Sequence, residues 1–382
     1  MHNKKIFNRV IHSVFITVPV IICFGLTICG QDMPGEPAAA QTLSGFEETG
    51  RKETVIQAHA GAWLLAPENT LSAFRGAEKL GADGIETDVR MTKDHELVVH
   101  HDDSIGQTSD GQGNISEMTL EELKALDFGS WFDPAFEGEQ ILTLEECLAA
   151  AKELSFDVVN LELKPVPDNS EGSGKDEESR IYVEAAADAI LQSGYTEHIM
   201  VTSFDRRLLK VMKEYAPQIP VGILTVPDLS FLTVFNVSKH LPADKPLEDY
   251  EAEDLQDVPG MVSMLLKGFG AKGRSPEETL LEVIRGAAAA VPPGSTYNDL
   301  KEMIEEQADI IGYVDGLDFP VDYVSCHYNS LSKELMEAMH EEQIGVFAWT
   351  PDRKTDLQKT IAFAPDGIIT NHPASAQEIM KE

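Results

Sequence analysis

The sequence predicts an α/β protein: a closed (β/α)8 barrel with a helical insertion between its fifth and sixth strands and an apolar helix ahead of it. Three observations carry that prediction. From Thr54 onward, short apolar runs alternate with longer amphipathic ones, the rhythm of parallel strands joined by crossover helices. Eight strand-like runs occur, which favours a closed barrel over an open doubly wound sheet. Polar, titratable residues gather at the C-terminal ends of these runs, where such barrels place reactive groups.

The strand candidates in order are "TVIQAHA" (54–60), "GADGIETDVR" (81–90), "FDVVNLEL" (156–163), "HIMVTSF" (198–204), "PVGILTV" (220–226), "VDYVSCH" (321–327), "IGVFAWT" (344–350) and "DGIIT" (366–370). Between them lie helical patterns, "NTLSAFRGAEKLG", "TLEECLAAAKEL", "SRIYVEAAADAILQSG", "DRRLLKVMKEY", "SLSKELMEAMHEEQ" and "DLQKTIAF", with apolar residues three and four apart. Asn69 and Thr70 read as caps of the first helix. Two segments interrupt the rhythm. The first, 102–140, has turn signals in "SDGQGN" and a short helix in "TLEELKALD". The second, 227–320, is too long for a structureless loop and carries helical patterns in "EETLLEVIRGAAAA" and "TYNDLKEMIEEQADII", so it is expected to be a helical insertion on the barrel rim. The polar stretch "DNSEGSGKDEES" (168–179) is expected to be a flexible surface loop.

Ahead of the barrel, Lys4, Lys5 and Arg9 precede an apolar run from Val10 to Cys29. Residues 1–30 therefore read as a signal peptide or a transmembrane anchor, and 31–52 as a linker; the barrel then occupies 53–382. The basic flank stays cytoplasmic, which would put the barrel on the extracytoplasmic side, secreted or held at the membrane by that single segment; the balance favours an uncleaved anchor. Thirty Lys and Arg against 65 Asp and Glu give a net charge of −35, a field that repels polyanions and argues against nucleic acid as a partner. Any phosphate site must then be built locally. Four cysteines, two of them in the apolar segment, form neither a disulfide framework nor a metal-binding spacing.

His59 ends the first strand. Glu86 and Asp88 lie two residues apart in the second strand, so both side chains leave one face; Glu162 and Lys164 repeat the arrangement in the third. Carboxylates aimed into a barrel need a cation or protons. Three hard oxygen ligands from adjacent strands suit Mg2+ or Ca2+. His101, followed by Asp102, comes after the apolar run "LVV" and offers a second imidazole for acid and base chemistry near neutral pH. Taken singly, each group has a structural explanation: a packed or capping histidine, a solvated acidic face. Their coincidence at strand ends argues for a site.

These residues resemble the glycerophosphodiester phosphodiesterase family, through "AHAG", "APENTLSAF", "GADGIETDVRMTKDHELVVHHDDS", "LTLEEC", "NLELK", "TSFD", "VFAWT" and "DGIITNHP". The resemblance implies a (β/α)8 barrel that hydrolyses glycerophosphodiesters to glycerol 3-phosphate and an alcohol with a divalent cation. It further implies that His59 and His101 act as general acid and base, that Glu86, Asp88 and Glu162 hold Ca2+ or Mg2+, and that Lys164 faces the phosphate. Trp349 and His327 are expected to line the substrate pocket. One position departs: the family has His-Arg-Gly where this chain has Ala60, which removes a charge-assisted phosphate contact of about 1.5–3 kcal/mol. Arg75 and Arg90 are candidate replacements, both expected to face solvent. Two other functions remain open at this level: a lysophospholipase D acting on lipid phosphodiesters, suggested by the apolar "GMVSMLLKGFG", and a weakly catalytic phosphodiester-binding protein.

Overall fold

The computed structural model describes residues 54–166, 173–226, 241, 245–255, 280, 281, 284, 291, 292 and 294–381. The N-terminal apolar segment and linker, the stretch 260–270 and most of the helical pattern at 277–290 lie outside them. Among the described residues no helix is long and apolar enough to cross a membrane.

Ten strands form one sheet: β1 (Val55–Ala58), β2 (Gly84–Met91), β3 (Leu97–Val99), β4 (Leu142–Thr143), β5 (Val158–Leu163), β6 (Ile199–Ser203), β7 (Val221–Leu224), β8 (Tyr323–His327), β9 (Gly345–Trp349) and β10 (Gly367–Thr370). All but β3 and β4 are parallel, in the order in which the sequence presents them. The sheet closes because β1 pairs with β10 on one side, Val55 opposite Gly367, and with β2 on the other, Gln57 opposite Gly84. The eight sequence-predicted strands are these eight staves. β3 and β4 were not among them. They pair antiparallel outside the barrel, Val89 with Val99 and Val98 with Thr143, and flank the first interruption. Runs of two and three residues are too short for a period to show.

Partners in a parallel ladder point to the same face. The register Glu86–Asn160, Asp88–Glu162, Glu162–Thr202, Leu224–Ser325, His327–Trp349 and Ile369–Trp349 therefore assigns all these side chains to the barrel interior. The alternate residues, Ile85, Val159, Leu161, Val201, Ile223, Val324 and Ala348, join the core between sheet and helices. Helix 71–79 buries Ala73, Phe74 and Ala77 there, helix 206–215 Leu208, Leu209 and Met212, and helix 333–341 Leu335, Met336 and Met339. Each fully buried large side chain contributes about 1.5–3 kcal/mol.

The N-terminal floor of the barrel is plugged by Val55, Val158, Met200, Tyr323 and Phe347. Gly367 makes room for the plug, since a Cβ there would lie 2.1 Å from Phe347 Cε1. Above it runs a polar band in which Thr202 donates to Asn160 Oδ1 at 2.8 Å and Asn160 Nδ2 to Gln57 Oε1 at 3.3 Å. Everything chemically reactive sits on top of that band.

Two local expectations are corrected, and one helix is added. The "flexible loop" at 168–179 is helical from Ser173, the start of a helix running to Gln192. Thr70 caps helix 71–79, accepting from Ala73 N, but Asn69 does not; it stands at φ +58° and its amide turns elsewhere. The final helix, Pro373–Lys381, was not among the expected ones; it buries Ala376 in a small cluster with Ile56, Leu357 and Ile368. Between β7 and β8 the described residues include helices 297–307 and 310–315 and a separate apolar cluster, Val226, Leu241, Leu247, Tyr250, Leu255, Leu280, Leu281, Ile284, Val291, Tyr297, Leu300 and Ile304, against which Phe204 packs.

Candidate active site

Glu86, Asp88 and Glu162 each offer an oxygen within 4.8 Å of the others, and all three are buried. Lys164 is 2% exposed and lies 2.8 Å from Asp88 Oδ1 and 2.6 Å from Glu162 Oε1. Both oxygens are ion-paired to that ammonium and have no further hydrogen-bond partner. Three buried carboxylates set against the Lys164 ammonium keep an excess of negative charge and offer hard oxygen ligands, a donor set that fits a divalent cation, Mg2+ or Ca2+.

The electrostatics agree with an acid cluster balanced by one cation. Burial, then repulsion from Asp88 and Glu162, holds the Glu86 carboxyl well above the usual range. Burial pushes Asp88 the same way, but the Lys164 and His101 charges outweigh it and its pKa falls far below normal. Asn69 sharpens the difference: its Nδ2 donates to Asp88 Oδ2 at 2.9 Å, while its Oδ1 accepts from the Thr87 hydroxyl at 2.7 Å. This is where the amide that fails to cap the helix goes.

His59 stands at the end of β1, its Nδ1 2.7 Å from Asn371 Oδ1 and its Nε2 3.9 Å from Glu86 Oε2. The amide of Asn371 is oriented by Asp352, whose Oδ2 accepts from Asn371 Nδ2 at 2.7 Å. Asn371 Oδ1 must then be an acceptor, His59 Nδ1 carries the proton, and the Nε2 lone pair turns toward the carboxylates. Burial lowers the His59 pKa, with Asp88 and the Asn371 hydrogen bond opposing.

His101 has the opposite character. Its Nδ1 donates to Asp102 Oδ1 at 2.8 Å, leaving Nε2–H as the free donor when the ring is charged. Burial and the Lys164 charge pull its pKa down, but Asp88 and Asp102 outweigh them and the net shift is upward. Its backbone is held by Arg90, whose Nε and Nη2 both donate to His101 O, at 2.9 and 2.6 Å. Arg90 is 7% exposed, so the expectation that it faces solvent is corrected; it clamps the loop of a histidine instead. Arg75 is exposed as expected. The neighbouring His100 is a packed residue, with Nδ1 on Asp102 O at 2.6 Å, Nε2 on Thr108 Oγ1 at 2.7 Å, and burial lowering its pKa to about 4.

Ala60, in the place of the expected arginine, has φ +48° and donates its N–H to Glu86 Oε2 at 3.3 Å. Trp349 ends β9 with its indole N–H on Ser325 O at 3.2 Å; its ring meets Phe204 and His327 edge-on at 5.9 and 5.3 Å. It thus belongs to an aromatic wall rising from β6, β8 and β9, facing the carboxylates of β2 and β5. Sequence reasoning missed Asn371, Asp352, Trp63 and Glu68, whose carboxyl pKa is raised by burial against the opposing pull of His101. The inward parity of β10, continued two residues past Ile369, was the available signal for Asn371.

A closed parallel barrel with acid, base and cationic side chains converging on its C-terminal mouth defines a class, the (β/α)8 enzymes that work from strand ends. Residues 59–255 match the glycerophosphoryl diester phosphodiesterase family, and the chain belongs to it; it is an enzyme that hydrolyses glycerophosphodiesters. A putative glycerophosphodiester phosphodiesterase of Bacillus subtilis (strain 168) is 39% identical over 180 residues, 47% of this chain and 68% of that protein. The glycerophosphodiester phosphodiesterase of Caldanaerobacter subterraneus subsp. tengcongensis is 28% identical over 335 residues, 86% of this chain and 99% of that one. In fold, the chain is similar to an Oleispira antarctica phosphodiesterase solved with the product sn-glycerol-3-phosphate, with a TM-score of 0.57, 19% identity, and coverage of 90% of this chain and 100% of that one.

Proposed function

We propose that the protein hydrolyses glycerophosphodiesters to glycerol 3-phosphate and an alcohol in a reaction that depends on a divalent cation, with His59 as general base and His101 as general acid. The observation that carries the metal dependence is the trio Glu86, Asp88 and Glu162, all buried, with oxygens within 4.8 Å of one another. Glu86, Asp88 and Glu162 would hold Ca2+ or Mg2+, which when bound supplies positive charge to a phosphoryl oxygen and lowers the pKa of the nucleophile. His59 Nε2 takes the proton of the attacking oxygen, either a water or the substrate's own glycerol hydroxyl; in the second case a cyclic phosphodiester forms as the alcohol leaves, and a water then opens it to glycerol 3-phosphate. His101 Nε2–H gives its proton to the departing alkoxide. Lys164 adds a fixed positive charge beside the phosphate, and Trp349 contributes an apolar wall for the substrate. That a neighbour in fold was solved with sn-glycerol-3-phosphate is consistent with the product assigned here.

Turnover of glycerophosphocholine in Ca2+ or Mg2+, and in chelator, tests the proposal. Activity that survives exhaustive chelation, or near-normal rates in His59→Ala or His101→Ala, would overturn it. A second substrate class has support of its own: Leu64 and Leu65, 41% and 58% exposed, lie on the loop that follows His59, so an acyl chain would find apolar surface there and a lysophospholipid would be cleaved as by a lysophospholipase D. The N-terminal segment is proposed to place the barrel outside the cytoplasm, near such lipids.

A further inference from the structure

We propose that Trp63 is a positioning residue for the reaction, holding the His59 imidazole in its working orientation through Asn371.

The indole Nε1–H of Trp63 donates to Asn371 Oδ1, the same atom that accepts from His59 Nδ1 at 2.7 Å. That oxygen has two lone pairs, and the two donors occupy both. Asp352 fixes the other end of the amide, accepting from Asn371 Nδ2 at 2.7 Å and from its backbone N at 3.1 Å. Asn371 therefore cannot flip without stranding three donors, and the imidazole cannot rotate without losing its acceptor.

Trp63 is delivered by a rigid loop. Ala60 and Gly61 are left-handed, at φ +48° and +75°. A Cβ on Gly61 would lie 2.8 Å from Ala73 Cβ, so the loop is seated directly on helix 71–79. Backbone bonds from Ala62 N to Ala73 O at 2.9 Å, Leu65 N to Ala62 O at 2.8 Å and Asn69 N to Ala60 O at 3.0 Å close it. Within this loop the hydrophobic effect alone would bury a leucine as readily as an indole. Leu64 and Leu65 stay exposed, and Trp63 turns in, the one residue of the three with a side-chain donor for Asn371.

The inference rests on His59 being the base, and the experiment keeps the two apart. Trp63→Phe removes the donor and keeps a ring; Trp63→Gln keeps an N–H donor and removes the ring. Trp63→Phe is expected to lower kcat about five- to tenfold, the value of one hydrogen bond, while KM moves by less than about twofold. Trp63→Gln is expected to recover part of that loss. In an Asn371→Ala background, Trp63→Phe should cost less than about twofold more, because residues acting through one atom are not additive. Full kcat in Trp63→Phe, equal losses in both backgrounds, or a larger loss in Trp63→Gln than in Trp63→Phe accompanied by a lower melting temperature assigns the ring to packing and overturns the proposal. His59→Ala, run alongside, reports on the base assignment: activity surviving there overturns that assignment whatever the Trp63 variants do.

Discussion

Replacing Lys164 by methionine removes the ammonium that the structure sets directly against Asp88 and Glu162, 2.8 and 2.6 Å away and 2% exposed. Breaking one side of a buried ion pair costs about 3–5 kcal/mol because the remaining charge is left uncompensated. A barrel of this length loses about 2 cal/mol/K of entropy per residue on folding, so the deficit corresponds to a fall in Tm of roughly 4–7 °C for the metal-free protein. The sign with pH follows from the shifts. Lys164 holds Asp88 below its ordinary pKa, so the pair's contribution is present above the unfolded carboxylate pKa and is lost as pH falls through the folded one. The difference between wild type and Lys164→Met should therefore be full at neutral pH and shrink toward acid. A divalent cation binding only the folded state should restore the variant by mass action, about 2.7 kcal/mol at a hundredfold excess over Kd. The assay is differential scanning calorimetry in chelator and in Ca2+ or Mg2+, at neutral pH and near pH 4. A variant that melts with wild type in chelator, or shows no stabilisation by either ion, would refute the reasoning.

Two further outcomes are expected. The pH profile of kcat/KM should be a bell whose acid limb, from His59, lies below 6.5 and whose alkaline limb, from His101, lies above it; rate rises as His59 loses its proton and falls as His101 does. A profile with one limb, or with both on the same side of 6.5, contradicts the roles assigned. Asn69→Ala removes a hydrogen bond to the charged Asp88 and places a Cβ residue without a side-chain partner at φ +58°, a combined cost of about 2–4 kcal/mol by chemical denaturation; Asn69→Gly, which relieves the backbone, should recover only part of it.

The barrel was legible because its signals are local. "GIETDVR" and "NLELK" announce by period two that Glu86, Asp88, Glu162 and Lys164 share one face, and the ladder then sets Asp88 beside Glu162. The apolar run of β3 was visible but its antiparallel pairing was not, and β4 and the early start of helix 173–192 were not legible, since their runs are too short or too polar to outvote turn-forming composition.

What the sequence determined by itself is which side chains leave the inner face of each strand, because alternation along a strand is a property of the backbone. Only the tertiary structure decided which of them meet. Closing β10 against β1 brings Asn371 to His59 across 312 positions and Trp63 to the same oxygen across 308. The fold also turns Arg90 from solvent to the carbonyl of His101 and buries Lys164 between Asp88 and Glu162. A hydrogen bond depends on position in three dimensions to a fraction of an ångström, and no periodicity along the chain encodes that.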